Sequence, residues 1–450
     1  MTTTVQSRSD AARPTAAPPT AVTAPRRAGD DAAAALLEPV VRALLGDAVP
    51  LRFDLWDGSA FGPESAAGSL RITSPDAIRR IVWAPSELGL ARAYVAGELD
   101  FDGDIYAVLT ALRDNARRGG RVGAGAMPPI LNAARGLGAL RRPPPAPAEE
   151  ARSRGHLHSK SRDRQAISHH YDVGNDFYEL VLGPAMTYSC ARFAEPGTTL
   201  ADAQAAKHEL ICRKLGLHER SGARLLDVGC GWGSLAMHAA AHHGATVVGV
   251  TISAEQAARA RARVEEAGLS DQVEIRLQDY RDMGGEVFDA ISSVGMFEHV
   301  GSERTAEYFT KLHDLLPGHG RLLNHAISSP GGSRLGNRSF LGRYVFPDGE
   351  LLDVGDTVLA MERAGFEVRD VESLREHYAR TLRAWVANLE RRWDEAVALV
   401  GVGRARVWRL YMAASVVGFE DGGIGLHQAL GVKLDPAGGS GMPSTRRDWG

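Results

Sequence analysis

Residues 225–233, LLDVGCGWG, narrow most what this chain can fold into. An apolar strand carrying one acid, Asp227, runs into Gly229, Gly231 and Gly233, and SLAMHAA continues as a helix. A strand that turns this sharply needs glycines where the backbone passes close to another group, and the helix leaves its first N–H groups unpaired at the turn. Such a unit predicts a doubly wound α/β layer with a ligand at its carboxyl edge. The rest of the pattern agrees. Strands are expected at 223–228, 245–250, 272–277, 287–294 and 320–327, with helices between them, among them SAEQAARARARVEEAG over 253–268.

At 450 residues the chain has room for two or three domains. Residues 1–33 are rich in Ala, Pro, Thr and Arg, with no apolar core and no signal-like h-region, and read as a disordered tail. Residues 34–112 read as a small α+β domain, with strands at LRFDLW (51–56) and SLRITS (69–74) and helices at 76–83 and 86–99. Residues 113–164 hold 12 Lys/Arg against 4 Asp/Glu, an excess of +8 in a chain of net charge -3, and read as a basic Gly/Pro/Arg-rich linker. The α/β domain is expected over 165–433, and 434–450 as a flexible tail. Three cysteines without a CxxC pair argue against a disulfide framework and point to a reducing, cytoplasmic setting. No apolar run reaches the roughly 20 residues of a membrane span.

The glycine turn also selects among ligands. Dinucleotide sites use GxGxxG and an acid about 20 residues on. This chain has GxGxG, and its second strand ends in GVT, with Thr251 at the acid's place. The hydrophobic-Asp-hydrophobic-GxGxG turn resembles the Rossmann-like class I methyltransferases that use S-adenosylmethionine. That resemblance implies that Asp227, Gly229 and Gly231 frame the cofactor's methionine and that Gln278 and Asp279, after the third strand, meet its adenine side.

A longer series of motifs is more specific. SHHYDVGNDFYELVLGPAMTYSCARF (168–193), QAAKHELICRKLGL, GVTISAEQ (249–256), LQDYRD, SVGMFEHVG (293–301), LLNHAIS (322–328), YVFPDGEL (344–351) and HYARTLRAWVANLE (377–390) follow one another in order. Together they resemble the cyclopropane-fatty-acyl-phospholipid and mycolic acid cyclopropane synthases, over about 165–420. The 34–112 region is similar to the N-terminal domain of the longer, phospholipid-acting members. The resemblance implies attack of an acyl-chain double bond on the sulfonium methyl, leaving a carbocation, and a proton lost to a bound bicarbonate. The polar cage for that base would be Cys190 and Ile327, mainly through backbone, with the side chains of Glu298, His325 and Tyr378. Tyr188, Ser189, Thr251 and Gln256 would join the cofactor contacts.

Blander readings stand beside these. Cys190 reads equally as a small buried hydrophobe, His325 as a satisfied core histidine, Tyr378 as a helix-start aromatic, and His299 as support for Glu298. His169, His170 and Tyr171 resemble a lid over the cofactor, or pack a helix. His156, His158, His169 and His170 are ligand types in basic surroundings, and no metal is expected. One departure bears on the product. LLDVGD follows YVFPDGE where many cyclopropane synthases carry Pro-Ser, and FEDGGIGLHQALGVK (419–433) resembles actinobacterial members that install a methylene branch on an oleoyl chain. The two outcomes share the cation and part at proton loss; the methylene branch, precursor of a 10-methyl group, is the expectation. It implies a downstream reductase and a phospholipid membrane whose anionic headgroups meet the basic linker on the inner face. Nucleic acid is not expected, because no aromatics interleave the charge, and a homodimer is compatible with the sequence. Methylation of a small soluble acceptor and a non-catalytic lipid-binding module are the rival readings.

Overall fold

The structure, a computed structural model, describes residues 32–46, 50–119, 127–151, 173–335, 339–347 and 349–449. Most of the expected N-terminal tail, and His156, His158, His169, His170 and Tyr171, lie outside them.

The N-terminal unit is α+β. After a helix at Ala32–Leu45 come β1 (Arg52–Asp54), β2 (Ala60–Phe61), β3 (Gly68–Ile72) and β4 (Leu99–Gly103), in sheet order β2-β1-β3-β4. Ser74 caps the helix Pro75–Trp83 by accepting from the Asp76 amide, with proline at the first helical position where its missing N–H costs nothing. The helix expected over 86–99 stops at Val95. Gly97 takes φ +76°, which a side chain resists, and Leu99 already opens β4.

The expected linker is no solvated tether over its described part. The helix Ile105–Gly119 crosses the boundary drawn at 112, and a further helix, Met127–Gly136, packs on Ala32–Leu45. Pro145 and Ala139 offer their carbonyls to Arg80 (2.8 Å) and the Trp83 indole (3.2 Å). Glu150, 6% exposed, receives Arg92 at 2.7 Å together with Arg343 and the Tyr344 hydroxyl. The charge and proline counts of 113–164 are real, but composition cannot show that its acid has partners 58 and 193 residues away.

The large sheet comprises β5 (Arg224–Val228), β6 (Thr246–Thr251), β7 (Val273–Leu277), β8 (Ala290–Val294), β9 (Arg321–Ser328), β12 (Phe366–Ser373) and β13 (Gly425–Lys433). A separate pair, β10 (Ser333–Arg334) and β11 (Glu350–Leu351), lies between β9 and β12 in the chain. The order is β12-β13-β9-β8-β5-β6-β7. The five strands from β9 to β7 are parallel, and β13 runs antiparallel between β9 and β12. Because β5 has β6 on one side and β8 on the other, the strand order reverses there, and the crevice beyond the carboxyl ends opens at that point.

A helical layer from Asn175–Leu182, Arg375–Arg391 and Val402–Glu420 joins this domain to the N-terminal unit, and one apolar core runs from Ala33 through Trp385 and Trp408 to Leu426. Arg406 crosses the junction to the Tyr94 carbonyl (3.1 Å) and Asp100. The C-terminal stretch expected to be flexible is held as well. Trp449 is 4% exposed, Arg446 reaches Asp370 at 2.7 Å, and Asp435 meets His319 at 3.0 Å.

Glu150 joins two guanidiniums that are themselves a quarter to a third exposed, so its removal should cost toward the lower end of the roughly 3 to 5 kcal/mol of a broken buried pair. Glu150→Ala is expected to lower the melting temperature and expose 127–151 to limited proteolysis first; an unchanged cleavage pattern would contradict that anchoring.

Candidate active site

Each strand of the parallel layer delivers one part of the crevice. At the end of β5, Asp227 is 2% exposed and accepts from the Ser292 hydroxyl of β8 at 2.8 Å. Burial pushes its carboxyl up to about 6. The chain then turns through Gly229 (φ +76°) and Gly231 (φ +55°), with the amides of Gly229 and Cys230 tied to the Val250 carbonyl of β6. A Cβ at Gly229 would meet Met296 at 3.1 Å. Past β6, Thr251 donates to Gln256 at 3.0 Å, and Ser253 caps the next helix. Past β7, Gln278 bonds the Asp282 carbonyl, and Asp279 holds the Arg281 guanidinium at 2.6 Å.

The roof is the loop before the helix Leu200–Lys214. Tyr188 shares a hydrogen bond with Tyr411 at 3.0 Å, and Ser189 accepts from Lys207 at 2.9 Å. All nine residues assigned to the cofactor (Tyr188, Ser189, Asp227, Gly229, Gly231, Thr251, Gln256, Gln278 and Asp279) line this single crevice.

The five cage candidates lie together behind it. Glu298 follows β8 in a single turn, Phe297–His299, and its Oε1 accepts from the Ile327 amide of β9 at 2.7 Å. Ile327 stands opposite Leu426 on β13. The Leu426 carbonyl accepts from the Leu374 amide, and the Leu374 carbonyl from the Tyr378 amide and the Cys190 thiol (3.7 Å). Four residues spread over 189 positions of sequence are thus joined by a short chain of contacts, and the fifth, His325, stands two positions before Ile327 on β9. Aromatic rings close the wall. Tyr378 stacks at 4.7 Å from Phe419, and Trp385 stands between Tyr378 (6.1 Å) and Tyr188 (5.4 Å).

The electrostatics of the two halves differ. In the cage, burial pushes the Glu298 carboxyl up to about 7 and holds His325 well below its usual value, so the imidazole is neutral. The Gln428 amide nitrogen lies 3.2 Å from His325 Nδ1 and makes no contact with the ring's other nitrogen, Nε2. That Nε2 and the Glu298 Oε2 are buried without a partner among the described residues. Burial also pushes the Cys190 thiol up, which denies it thiolate character. Ile327 differs from expectation in one respect: its amide is already given to Glu298. His299 lines the cofactor crevice rather than the cage.

Sequence reasoning missed Lys207. Two lysines of one helix are buried. Lys214 is neutralised by Asp370 (2.9 Å) and Glu372 (2.5 Å), whereas Lys207, 1% exposed, has the Ser189 hydroxyl and no carboxylate within ion-pair distance among the described residues. A buried cation without a counter-anion is costly, and this one lines the crevice. It therefore suits the carboxylate of an amino-acid ligand. Its signal in the sequence is spacing, since Ala203, Lys207, Leu210 and Ile211 share one helix face. Trp232, Trp385 and Gln428 were likewise missed. No metal was expected; Cys212, His238 and His243 bring ligand atoms within 4.8 Å of one another, and Glu209 bonds both imidazoles, at 3.3 and 2.9 Å.

A parallel-rich sheet with a glycine turn at its switch point, an acid on the first strand and a polar cleft across the strand ends is that of a Rossmann-like class I methyltransferase dependent on S-adenosylmethionine. The chain belongs to the mycolic acid cyclopropane synthetase family, whose model matches residues 158–429. It is 45% identical to a protein described as "Probable fatty acid methyltransferase Rv3720" of Mycobacterium tuberculosis, over 88% of this chain and 93% of that one. It is 35% identical to "Tuberculostearic acid methyltransferase UfaA1" of the same organism, over 86% and 89%. Among solved structures, mycolic acid cyclopropane synthase CmaA1, complexed with SAH and CTAB, aligns at 34% identity and TM-score 0.56, covering 60% of this chain and 97% of that one. The protein is thus an S-adenosylmethionine-dependent methyltransferase of the cyclopropane and methyl-branch fatty acid family.

Two outcomes follow from these charges. Burial lowers Lys207 to about 8, so S-adenosylhomocysteine affinity should fall as pH rises through 8; Lys207→Met should weaken binding at pH 7 and lose that dependence, and a Met variant binding like wild type would remove Lys207 from the site. Glu298 has a folded pKa raised from 4.5 to about 7, so the cofactor-free fold should lose stability as pH rises between those values, by about 3 kcal/mol. Glu298→Gln should remove that slope in denaturant titrations at pH 5 and 8; an identical slope would place the carboxyl in water.

Proposed function

We propose that the protein transfers the methyl group of S-adenosylmethionine to the cis double bond of an oleoyl-type chain in a membrane phospholipid, through a carbocation. Loss of a proton then leaves a methylene branch, which a separate reductase can convert to a 10-methyl group. The observation that carries this reading is the pair of buried, unpartnered polar atoms, Glu298 Oε2 and His325 Nε2, beside an apolar core that holds Tyr378, Trp385 and Ile327. A π bond is a weak nucleophile, and its cation survives only where water is excluded. Burial and rings serve that need, and a soluble polar acceptor would not require them.

Both expected ligands fit the residues present. S-adenosylmethionine would lie in the crevice, its carboxylate near Lys207 and Ser189, and would supply the electrophilic methyl. Bicarbonate suits the two buried polar atoms left unpartnered, Glu298 Oε2 and His325 Nε2, with Cys190, Ile327 and Tyr378 around them, and would supply the base for the methyl proton. The chain's own contribution is position. Glu298 is fixed by the Ile327 amide, His325 by Gln428, and Tyr378 by Phe419. The carbocation forms as the π pair makes the new C–C bond and the S–CH3 pair returns to sulfur.

The methylene outcome needs the positive charge to move onto the methylated carbon before the proton leaves; ring closure needs it to stay on the neighbouring carbon. The first is supported by the relatives that match nearly the whole chain, described as fatty acid and tuberculostearic acid methyltransferases. The family model's description, a cyclopropane synthetase, favours ring closure as the second reading. No helix among the described residues is long and apolar enough to cross a membrane, so work at the inner bilayer face would be peripheral.

Incubation with S-adenosylmethionine and oleoyl-phospholipid vesicles should add one carbon to the acyl chain by mass spectrometry, and Glu298→Ala should cut turnover by about a hundredfold or more with S-adenosylhomocysteine affinity unchanged. Unmodified lipid would defeat the reading; full turnover in the variant would take Glu298 out of the cage.

A further inference from the structure

The helix Met127–Gly136 buries Ala133 and Ala134 against the N-terminal unit and leaves an adjoining stripe in solvent. Met127, Leu131 and Arg135, at i, i+4 and i+8, share that stripe, and the two apolar side chains are 48% and 41% exposed. Two residues past the helix Gly138 takes φ +64°, and the chain folds back so that the Arg141 amide bonds the Gly138 carbonyl. That turn presents Leu140, 53% exposed, beside Trp83, 57% exposed, whose indole N–H donates to the Ala139 carbonyl. Leaving these large apolar groups in water forgoes the stabilisation of burying them. Clustered apolar side chains of this kind mark an interaction face.

Charge identifies the partner. Arg135, Arg141 and Arg142 are exposed at the same turn, and no carboxylate among the described residues pairs with them. Against a second copy of the same face, arginines would meet arginines. An anionic bilayer answers both features at once, since indole and aliphatic groups enter the headgroup boundary while guanidiniums stay at the phosphates. We propose that Trp83, Met127, Leu131 and Leu140, with Arg135 and Arg141, form the surface that docks this protein on an anionic lipid membrane. It rests on the reading of the substrate as a membrane phospholipid and adds the face that meets the membrane. The described part of the basic segment then acts as a folded, amphipathic element rather than as a loose charged tether.

The test is co-sedimentation of the cofactor-free full chain with vesicles of phosphatidylcholine alone or mixed with phosphatidylglycerol. Wild type should bind the mixed vesicles at least about tenfold more tightly. The triple variant Arg135→Gln, Arg141→Gln, Arg142→Gln should lose about a hundredfold of that affinity, at roughly one decade or less per arginine. The double variant Leu131→Gln, Leu140→Gln should weaken binding to both vesicle types. Both variants should keep wild-type melting temperatures and turn over detergent-dispersed lipid normally while failing on vesicles. Wild-type vesicle affinity in both variants would overturn the proposal, as would a loss of self-association with unchanged vesicle affinity, which would make the face a contact between copies. Vesicle binding needs no methyl transfer, so tight binding without lipid methylation would sink the activity reading and leave the docking face standing.

Discussion

One hydrogen bond, from the Ile327 amide to Glu298 Oε1 at 2.7 Å, holds the polar half of the site in place. It ties the turn after β8 to the end of β9, and from Ile327 the contacts pass through Leu426 and Leu374 to Cys190 and Tyr378. Without it a carboxyl would be buried with neither oxygen satisfied, a cost no bland core would bear. With it, one oxygen is anchored and the other is left unpartnered, which is how a ligand site differs from a solved packing problem.

The two halves of the site divide the electrostatics. The cofactor half carries charge, with Asp227, Lys207 and the Asp279–Arg281 pair set around a crevice at the strand ends. The cage half carries a carboxyl and an imidazole whose charged forms burial disfavours, Glu298 and His325. A sulfonium donor and an alkene need this contrast. On the proposed reading the first would be held by fixed charges, and the second would react through a cation that any water would trap.

Most of the cofactor half was legible in the sequence because Asp227, Gly229, Gly231, Thr251, Gln278 and Asp279 sit within three residues of a strand's carboxyl end, where a local pattern marks them. LLDVGCGWG, GVT and LQD needed no tertiary information. The cage was legible only through resemblance, since Cys190, Glu298, His325 and Tyr378 are brought together by β9, β13 and Leu374, and no spacing rule joins them. Lys207 escaped because a lysine in a helix ordinarily faces water, and only burial of its helix shows otherwise. The described part of 113–164 departs from the linker reading for a related reason. Proline and arginine counts describe a tether equally well as a folded strap, and what decides is Glu150 meeting Arg92 and Arg343 across the domain junction. The antiparallel β13 went unread because GLHQALGVK, buried on both faces, has no period-two pattern.

Carbon-13 NMR of lipid extracted after reaction with S-adenosylmethionine labelled in its methyl group tests the central claim most directly, because it reports where the carbon went and how the cation was quenched. The account predicts label in an exocyclic methylene carbon on the acyl chain; a cyclopropane methylene signal would give the second reading its product. Label in a lipid headgroup or a water-soluble acceptor, with none on the acyl chain, would contradict it.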